Sequence, residues 1–339
     1  MSKTILVSGA SGFIGSHTCI ELLGAGFRVI GLDNFSNSAR EAIRRVEAIA
    51  GRELPFHEAD VRDAQALRAI FASEPVDAVL HFAGLKAVGE SLAEPLRYFD
   101  NNVCGTVTLL REMARAGVDT FVFSSSATVY GDPEFLPLTE GARLSVTNPY
   151  GRSKLFVEQI LADLGAAEPA LRIGILRYFN PVGAHASGQI GEDPSGTPNN
   201  LMPFIAQVAV GRRDELAVYG SDYPTVDGTG VRDYIHVVDL ALGHVAALRR
   251  LFAHGGRFTV NLGTGSGYSV LETVQAFEQA SGRKVAYRLV GRRPGDIASC
   301  YASPDAAREL LGWVAQRSMR EMCEDHWRWQ RQNPRGYSA

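Results

Sequence analysis

The sequence predicts an α/β protein: a doubly wound parallel sheet that carries a smaller mixed α/β lobe. Three observations point there. Short apolar strands alternate with helical stretches through the first half of the chain. A glycine-rich turn joins the first strand to the first helix. After Arg177 the composition shifts to long loops rich in Gly, Ser and Pro, and loops of that length in a compact chain usually carry function. The 339 residues suffice for two lobes. The boundaries read from the chain are 1–180 for the first and 181–339 for the second, with a return to the first near 231–263.

Thr4-Ile5-Leu6-Val7-Ser8 reads as a short buried strand. Gly9-Ala10-Ser11-Gly12-Phe13-Ile14-Gly15 leads from it into a helical pattern through Leu22 and Leu23 to Gly26. Strand, glycine turn and helix in that order suit a dinucleotide. Glycines let backbone amides approach a pyrophosphate, the helix N-terminus favours its charge, and Gly15 permits close packing of helix on strand. The spacing is G-x-x-G-x-x-G rather than G-x-G-x-x-G, so the turn alone fits a tight bend as well. The next strand favours the Rossmann-type reading. Arg28-Val29-Ile30-Gly31-Leu32 ends in Asp33, about 20 residues past the glycines, where a carboxylate holds an adenosine ribose. An acid there repels a 2′-phosphate, which predicts NAD rather than NADP; the plain alternative is a solvated aspartate at a strand end.

Further strands fall near Leu54–Glu58, Ala78–Ala83, Thr120–Ser124 and Arg172–Arg177. Asp63 is placed to cap a helix through Phe71, and a long helix runs from about Pro95 to Ala116. Asp60-Val61-Arg62-Asp63 and Phe82-Ala83-Gly84-Leu85-Lys86 come after strand ends, where ligands bind in open α/β sheets. Gly183–Asn200 and Tyr219–Gly230 are the long loops of the second lobe. The strand-like Tyr234–Val238 and Thr259–Leu262 are expected to rejoin the sheet, so that the lobes interleave in sequence.

Asn148-Pro149-Tyr150-Gly151-Arg152-Ser153-Lys154 sets a phenol and an ammonium four residues apart on one face at the start of a helix. A tyrosine of pKa about 10 is a poor base at neutral pH, and lowering it about 3 units takes roughly 4 kcal/mol of preferential stabilisation of the phenolate. A fixed neighbouring cation supplies much of that. Alone the pair is a weak signal, because surface helices carry many Tyr-x-x-x-Lys matches by chance; the dinucleotide turn changes that weighting.

The formal net charge of −3, with both signs interspersed, leaves no broad footprint for nucleic acid or for an acidic membrane surface. Small-molecule partners are expected instead. Met1-Ser2-Lys3 runs straight into the first strand and no apolar run reaches transmembrane length, which predicts a cytoplasmic protein. Cys19, Cys104, Cys300 and Cys323 are scattered without C-x-x-C pairing, and the eight histidines show no metal spacing. No disulfide framework and no metal are expected. His81 reads as a core or near-site histidine.

These residues together resemble the UDP-sugar 4-epimerases of the extended short-chain dehydrogenase/reductase family, from Thr4 to about Tyr337. The resemblance rests on Gly9–Gly15, Phe82–Ser91, Ser124–Gly131, the Tyr150/Lys154 pair, Arg177–Ala184, Pro198–Pro203 and Gly230–His236. The glycines and the Tyr-Lys pair mark only the wider family. The loop after Lys86 and the second-lobe blocks are far more specific.

The resemblance implies epimerisation of UDP-glucose and UDP-galactose at sugar carbon 4 through a transient 4-keto sugar, with NAD kept bound through a redox-neutral cycle. It assigns catalysis to Tyr150, Lys154 and Ser126. Tyr150 takes the proton of the 4-hydroxyl, Lys154 binds the nicotinamide ribose and depresses the tyrosine pKa, and Ser126 bonds the reacting oxygen; the plain alternative for Ser126 is a hydroxyl capping a strand end. Cofactor contacts are implied at Gly9, Gly12, Phe13, Ile14, Gly15, Asp33, Asn34, Asn37, Ser38, Asp60, Val61, Phe82, Ala83, Gly84, Lys86, Asn101, Ser124, Tyr150, Lys154, Tyr178 and Phe179. Substrate contacts are implied at Lys86, Ser126, Tyr150, Asn180, Asn200, Leu201, Ala217, Val218, Tyr219, Arg232, Tyr234, Arg293, Asp296 and Cys300. Arg232 and Arg293 suit a diphosphate and Asp296 the uridine ribose, whereas Arg292 reads as a solvated loop charge. Cys300 stands where members restricted to the plain sugars carry a bulky tyrosine, which implies room for the N-acetylated UDP-hexosamines. A shift of one in register would put Tyr301 there and restore the bulk. A homodimer through the helices near Pro95–Ala116 and Ser153–Leu164 is also implied.

Two other readings compete. A nucleotide-sugar 4,6-dehydratase shares the fold, the glycines and the Tyr-Lys pair, but needs an Asp-Glu where this chain has Ala127-Thr128. A non-catalytic NAD-sensing scaffold would have no use for Tyr150, Lys154 and Ser126 together.

Overall fold

The computed structural model describes residues 2–194, 196–293 and 295–338. In chain order its strands are β1 (Thr4–Ser8), β2 (Arg28–Asp33), β3 (Phe56–Glu58), β4 (Ala78–His81), β5 (Thr120–Ser126), β6 (Arg172–Tyr178), β7 (Asn180–Val182), β8 (Leu216–Tyr219), β9 (Val231–His236), β10 (Arg257–Leu262), β11 (Gly267–Ser269), β12 (Tyr287–Val290) and β13 (Ser299–Cys300). Seven of them form one sheet in the order β10-β6-β5-β4-β1-β2-β3, parallel throughout.

Both faces of this sheet are covered, which is why its strands are continuously apolar rather than alternating. Ile5, Val7, Val29, Val122 and Val260 face one layer, where they pack against Leu22 and Leu23 of the helix Phe13–Gly24 and Leu248 and Leu251 of the helix Val237–His254. Leu6, Ile30, Val79, Phe121 and Phe123 face the other, against Leu67, Leu109 and Leu161 of the helices Ala64–Ser73, Gly105–Arg115 and Pro149–Ala167. The chain winds outward from β1 to β3 and then restarts at β4 on the other side of β1. The turns after β1 and β4 therefore open together at the switch point, where ligands bind in such sheets.

Three expectations need correction. Tyr234–Val238 does not rejoin the main sheet: β9 pairs with β7, β11 and β13 in a separate small sheet, and Val237 begins a helix whose first turn is capped by His236, which accepts from Val238 N at 3.1 Å. Only β10, which covers Thr259–Leu262, returns to the seven strands. The helix expected over Pro95–Ala116 is made of Pro95–Tyr98, a wider π-helical stretch Phe99–Cys104, and Gly105–Arg115. The third strand starts at Phe56, not Leu54, because Pro55 has no N–H for the ladder; its carbonyl instead accepts from Gly31 N at 2.8 Å. A second core of Met202, Ile205, Val218, Tyr234, Phe277 and Met322 holds the smaller lobe together. No described helix is long and apolar enough to cross a membrane.

Candidate active site

A cleft of about 530 Å³ opens at the switch point. Gly9 has φ +75°, and a Cβ there would lie 2.7 Å from Ala83 N; one on Gly15 would lie 2.0 Å from Gly9 O. The turn is thus closed tightly enough that only glycine fits, leaving bare backbone facing the cleft. Asp33, at the end of β2, accepts from Ser11 N (3.2 Å), Phe35 N (2.9 Å) and Ser38 Oγ (3.1 Å). These bonds fix the carboxylate beside the glycines. A dinucleotide with a free 2′-hydroxyl fits this cradle, and a 2′-phosphate does not.

Of the expected cofactor contacts, Gly9, Gly12, Phe13, Ile14, Gly15, Asp33, Asn34, Asn37, Ser38, Val61, Phe82, Ala83, Gly84, Lys86, Asn101 and Ser124 line this cleft. Asp60 stands behind the wall, bonded to Asn34 Nδ2 at 2.9 Å and paired with Arg62 at 2.8 Å, and those partners hold its carboxyl well below the usual range. Tyr178 and Phe179 are buried rather than lining: the Tyr178 hydroxyl meets His244 Nε2, and Phe179 packs with Val129 and Tyr130. His81 is a core residue, its ring bonded to Ser8 Oγ (2.7 Å) and Thr106 Oγ1 (2.8 Å).

Beside this cleft, Asn148 caps the helix Pro149–Ala167 by accepting from Gly151 N at 2.8 Å, which aims Tyr150 and Lys154 toward the end of β5. Burial pushes the Tyr150 phenol up, and its hydrogen bond to Ser126 and the charge of Lys86 pull it back. Lys154 reaches that strand end. Its Nζ donates to Ser124 O at 2.7 Å and lies 4.9 Å from the Phe123 ring centroid, and burial lowers its pKa to about 8. Asn102, which the sequence did not single out, ties the parts together: its side chain bonds Leu85 N (2.8 Å), Leu85 O (3.0 Å) and Ser153 Oγ (3.0 Å).

A second cleft of about 370 Å³ lies over the small sheets, lined by Asn180, Asn200, Leu201, Ala217, Val218, Tyr219, Arg232, Tyr234, Arg293 and Asp296. Arg293 stacks 4.5 Å from the Tyr219 ring centroid and pairs with Asp296 at 3.0 Å. Arg292 is the solvated loop charge expected: it is exposed, and it pairs with the equally exposed Asp222 at 2.8 Å over the Tyr223 ring. Cys300 lines neither cleft. It is 7% exposed in a cluster with Val129, Tyr130, Leu138 and Phe179, and burial pushes its thiol up to about 11. Tyr301 points the other way, against Gly267, whose added Cβ would lie 3.2 Å from that ring.

The two clefts meet through one atom. Glu192 Oε1 accepts from Lys86 Nζ at 3.0 Å and from Asn200 Nδ2 at 2.8 Å. Glu192, Ser11, Arg212, Arg335 and Tyr337 also line the first cleft and were missed. Ser11 lay within the glycine run; the others sit in loops and at the chain end, where no periodicity marks them. Among the described residues no group of His, Cys, Asp and Glu could hold a metal ion.

A Rossmann-type sheet with a phenol and a buried lysine beside its switch point defines a nucleotide-dependent short-chain dehydrogenase/reductase site. Residues 5–263 match the model of the NAD dependent epimerase/dehydratase family. The chain is 58% identical over 335 residues to the UDP-glucose 4-epimerase of Bacillus subtilis, covering 99% of each protein. Among solved structures it is similar to the UDP-glucose 4-epimerase of Stenotrophomonas maltophila with bound NAD and formylated UDP-arabinopyranose (TM-score 0.96, 52% identity, 98% of this chain and 99% of that one). It is likewise similar to the Bifidobacterium longum UDP-glucose 4-epimerase in complex with NAD+ and UDP (TM-score 0.95, 53% identity, 98% of this chain and 100% of that one). The chain belongs to the NAD-dependent epimerase/dehydratase family and, within it, to the UDP-glucose 4-epimerases.

Proposed function

We propose that this chain interconverts UDP-glucose and UDP-galactose at sugar carbon 4, with NAD in the first cleft and the UDP moiety in the second. The observation that carries this reading is the junction of the two clefts at Lys86, Glu192 and Asn200. The chemistry that bound NAD supplies is reversible two-electron acceptance at carbon 4, with no net oxidation over the cycle. Tyr150 takes the 4-hydroxyl proton and returns it, and Ser126 holds the reacting oxygen. Lys154, fixed on the Ser124 carbonyl, would hold the nicotinamide ribose of bound NAD. Arg232 and Arg293 grip the diphosphate while the sugar turns. The Arg293–Asp296 pair is half exposed and so weak enough to open for this. Incubation with UDP-galactose and a coupled readout of UDP-glucose tests the assignment; no turnover with NAD supplied sinks it.

The same reading extends to the N-acetylated UDP-hexosamines. In support, β13 sets Cys300 beside Arg232 of the second cleft, and its small side chain leaves the Val129–Phe179 cluster without a ring at that point. A homodimer is also part of the proposal. Val88, Leu92, Leu96 and Phe156 stand exposed on adjoining helical segments, Leu96 at 81%, where a second copy would cover them. The four cysteines are free, which suits a reducing cytoplasm.

A further inference from the structure

The redox-neutral cycle proposed above needs a dinucleotide that stays while sugars come and go. Its cleft is lined not only by the ends of the main strands but also by Gly191, Asp193, Tyr337 and Ser338, from two segments far apart in sequence and outside the seven strands. The two are tied to each other. Asn333 ends the helix Met319–Gln332, and its Nδ2 donates to Trp329 O and to Gly188 O, each at 2.9 Å. Gly336 N bonds back to Asn333 O at 3.0 Å, which turns the chain. Gly336, at φ +74°, then lays bare backbone on Asp193, and a Cβ there would lie 2.0 Å from Oδ1. Asp193 Oδ2 accepts from Tyr337 N at 2.8 Å, Tyr337 OH donates to Gly191 O at 3.3 Å, and the Tyr337 and Trp329 ring centroids lie 4.8 Å apart. Arg45 fastens both segments to the first lobe. It stands on the helix Arg40–Ala50, directly after the cleft-lining Ser38 and Ala39. Its Nη1 donates to Gln189 O (2.8 Å) and to Asn333 Oδ1 (2.6 Å), and its guanidinium lies 5.2 Å from the Tyr337 ring centroid. Glu41 accepts from its Nε at 2.7 Å. A lysine, with one point charge, could not make these contacts together. Ile190 is fully buried in the core that holds Ile43 and Val46 of the same helix, so the loop is the fixed side and the chain end is the side that can lift.

We propose that Asn333–Ser338 is a clasp on the dinucleotide cleft, fastened by Arg45 and Asp193, which keeps NAD bound through many turnovers while UDP-sugars exchange through the second cleft. This rests on NAD occupying the first cleft. Bonds that must break before the nucleotide leaves raise the barrier to release without entering the chemistry, so their loss falls on the off-rate.

The test loads the full chain with radiolabelled NAD, chases with excess unlabelled NAD and follows the label that stays on the protein. Gly336→Ala, which drives a methyl group into the Asp193 carboxylate, should release NAD about tenfold faster or more, and so should a chain ending at Arg335. Arg45→Met, which keeps the stem without the fork, should do the same, and Arg45→Lys should restore little. In Gly336→Ala and Arg45→Met, kcat on UDP-galactose at saturating NAD should stay within about twofold, with the loss appearing as a raised apparent KM for NAD. A merely structural role would move both. Asp239→Asn is the control, since it weakens the hold on Gln316 N (3.0 Å) and Arg317 N (2.8 Å) ahead of the same helix. It should lower stability without hastening release. Unchanged release from the folded shortened chain, release as fast from the unaltered protein or from Asp239→Asn, or a fall in kcat that saturating NAD does not repair overturns the inference. The chase needs no turnover, so an inactive protein whose variants still shed NAD faster would remove the epimerase reading and leave the clasp.

Discussion

Tyr150→Phe removes one oxygen from a side chain whose neighbours are otherwise unchanged, so fold and UDP binding should survive while turnover falls by roughly 10² or more, as for loss of a positioned acid/base. Near-normal kcat in that variant would refute the proposed base. Gly15→Ala acts differently. Its Cβ would press to 2.0 Å of Gly9 O, so the turn must open and the protein should be purified without dinucleotide, which release by denaturation and enzymatic assay would show. At this scale the sequence was most legible where backbone chemistry dictates the residue: the glycines, Asp33 and Asn148 are each where their bonds require. It was least legible for long side chains. A four-residue spacing sets Tyr150 and Lys154 on one helix face, but it does not say where a four-carbon stem ends, and Lys154 ends at the Ser124 carbonyl.

Elements β5, β6 and the helix Pro149–Ala167 are locked together beneath the site by a buried network. Arg177 and Glu158 pair at 2.6 Å with both side chains 6% exposed, Arg177 Nη1 donates to Tyr130 OH at 3.0 Å, and Tyr130 OH donates to Asn261 Oδ1 at 2.6 Å. Removing one partner leaves a buried charge, so Glu158→Ala should lower stability by about 3–5 kcal/mol in denaturant unfolding. Glu158→Leu with Arg177→Met should cost much less, and equal losses would show that the pair is not what joins these elements. The strands of the main sheet were legible because both faces are buried and the runs are apolar. The assignment of β9 was not: a short apolar strand has the same pattern in either sheet, and only the tertiary partners β7, β11 and β13 decide. Cys300 belongs to this scale as well, since its effect comes through β13. A tyrosine there finds no room among Val129, Leu138 and Phe179 and must turn its ring toward the second cleft. Cys300→Tyr should therefore reduce turnover of UDP-N-acetylgalactosamine strongly and spare UDP-galactose, since a clash excludes the larger ligand without touching the chemistry. Equal loss on both sugars would count against the proposal.

Over the whole molecule, four histidines are folded into the interior as neutral rings. Burial lowers His17 and His81 to about 3 and His244 and His326 to about 4, from an ordinary 6.5. Their hydrogen bonds suit this: His17 Nδ1 meets Phe13 O at 2.7 Å, His244 Nδ1 meets Leu240 O at 2.8 Å, and both sit in helices that pack on the main sheet. The unfolded chain binds protons at these positions more readily than the folded one, so the stability they contribute is fully present above pH 6.5. It is lost progressively as pH falls from there toward 4. Each ring unprotonated in the fold loses about 1.4 kcal/mol per unit in that window, or roughly 2 kcal/mol at pH 5. Asp193 and Asp233, whose carboxyls burial raises, act with the opposite sign, but only once carboxylates begin to take protons at the lower end of the window. Stability measured by denaturant unfolding of the holoprotein should therefore fall steadily between pH 7 and pH 5. His81→Gln, which keeps polar contacts with Ser8 and Thr106 in reach, should flatten that slope by about one proton's worth, even if it lowers stability at pH 7. A stability level from pH 7 to pH 5, or a slope untouched by His81→Gln, would mean that these rings do not set the acid limit of the fold.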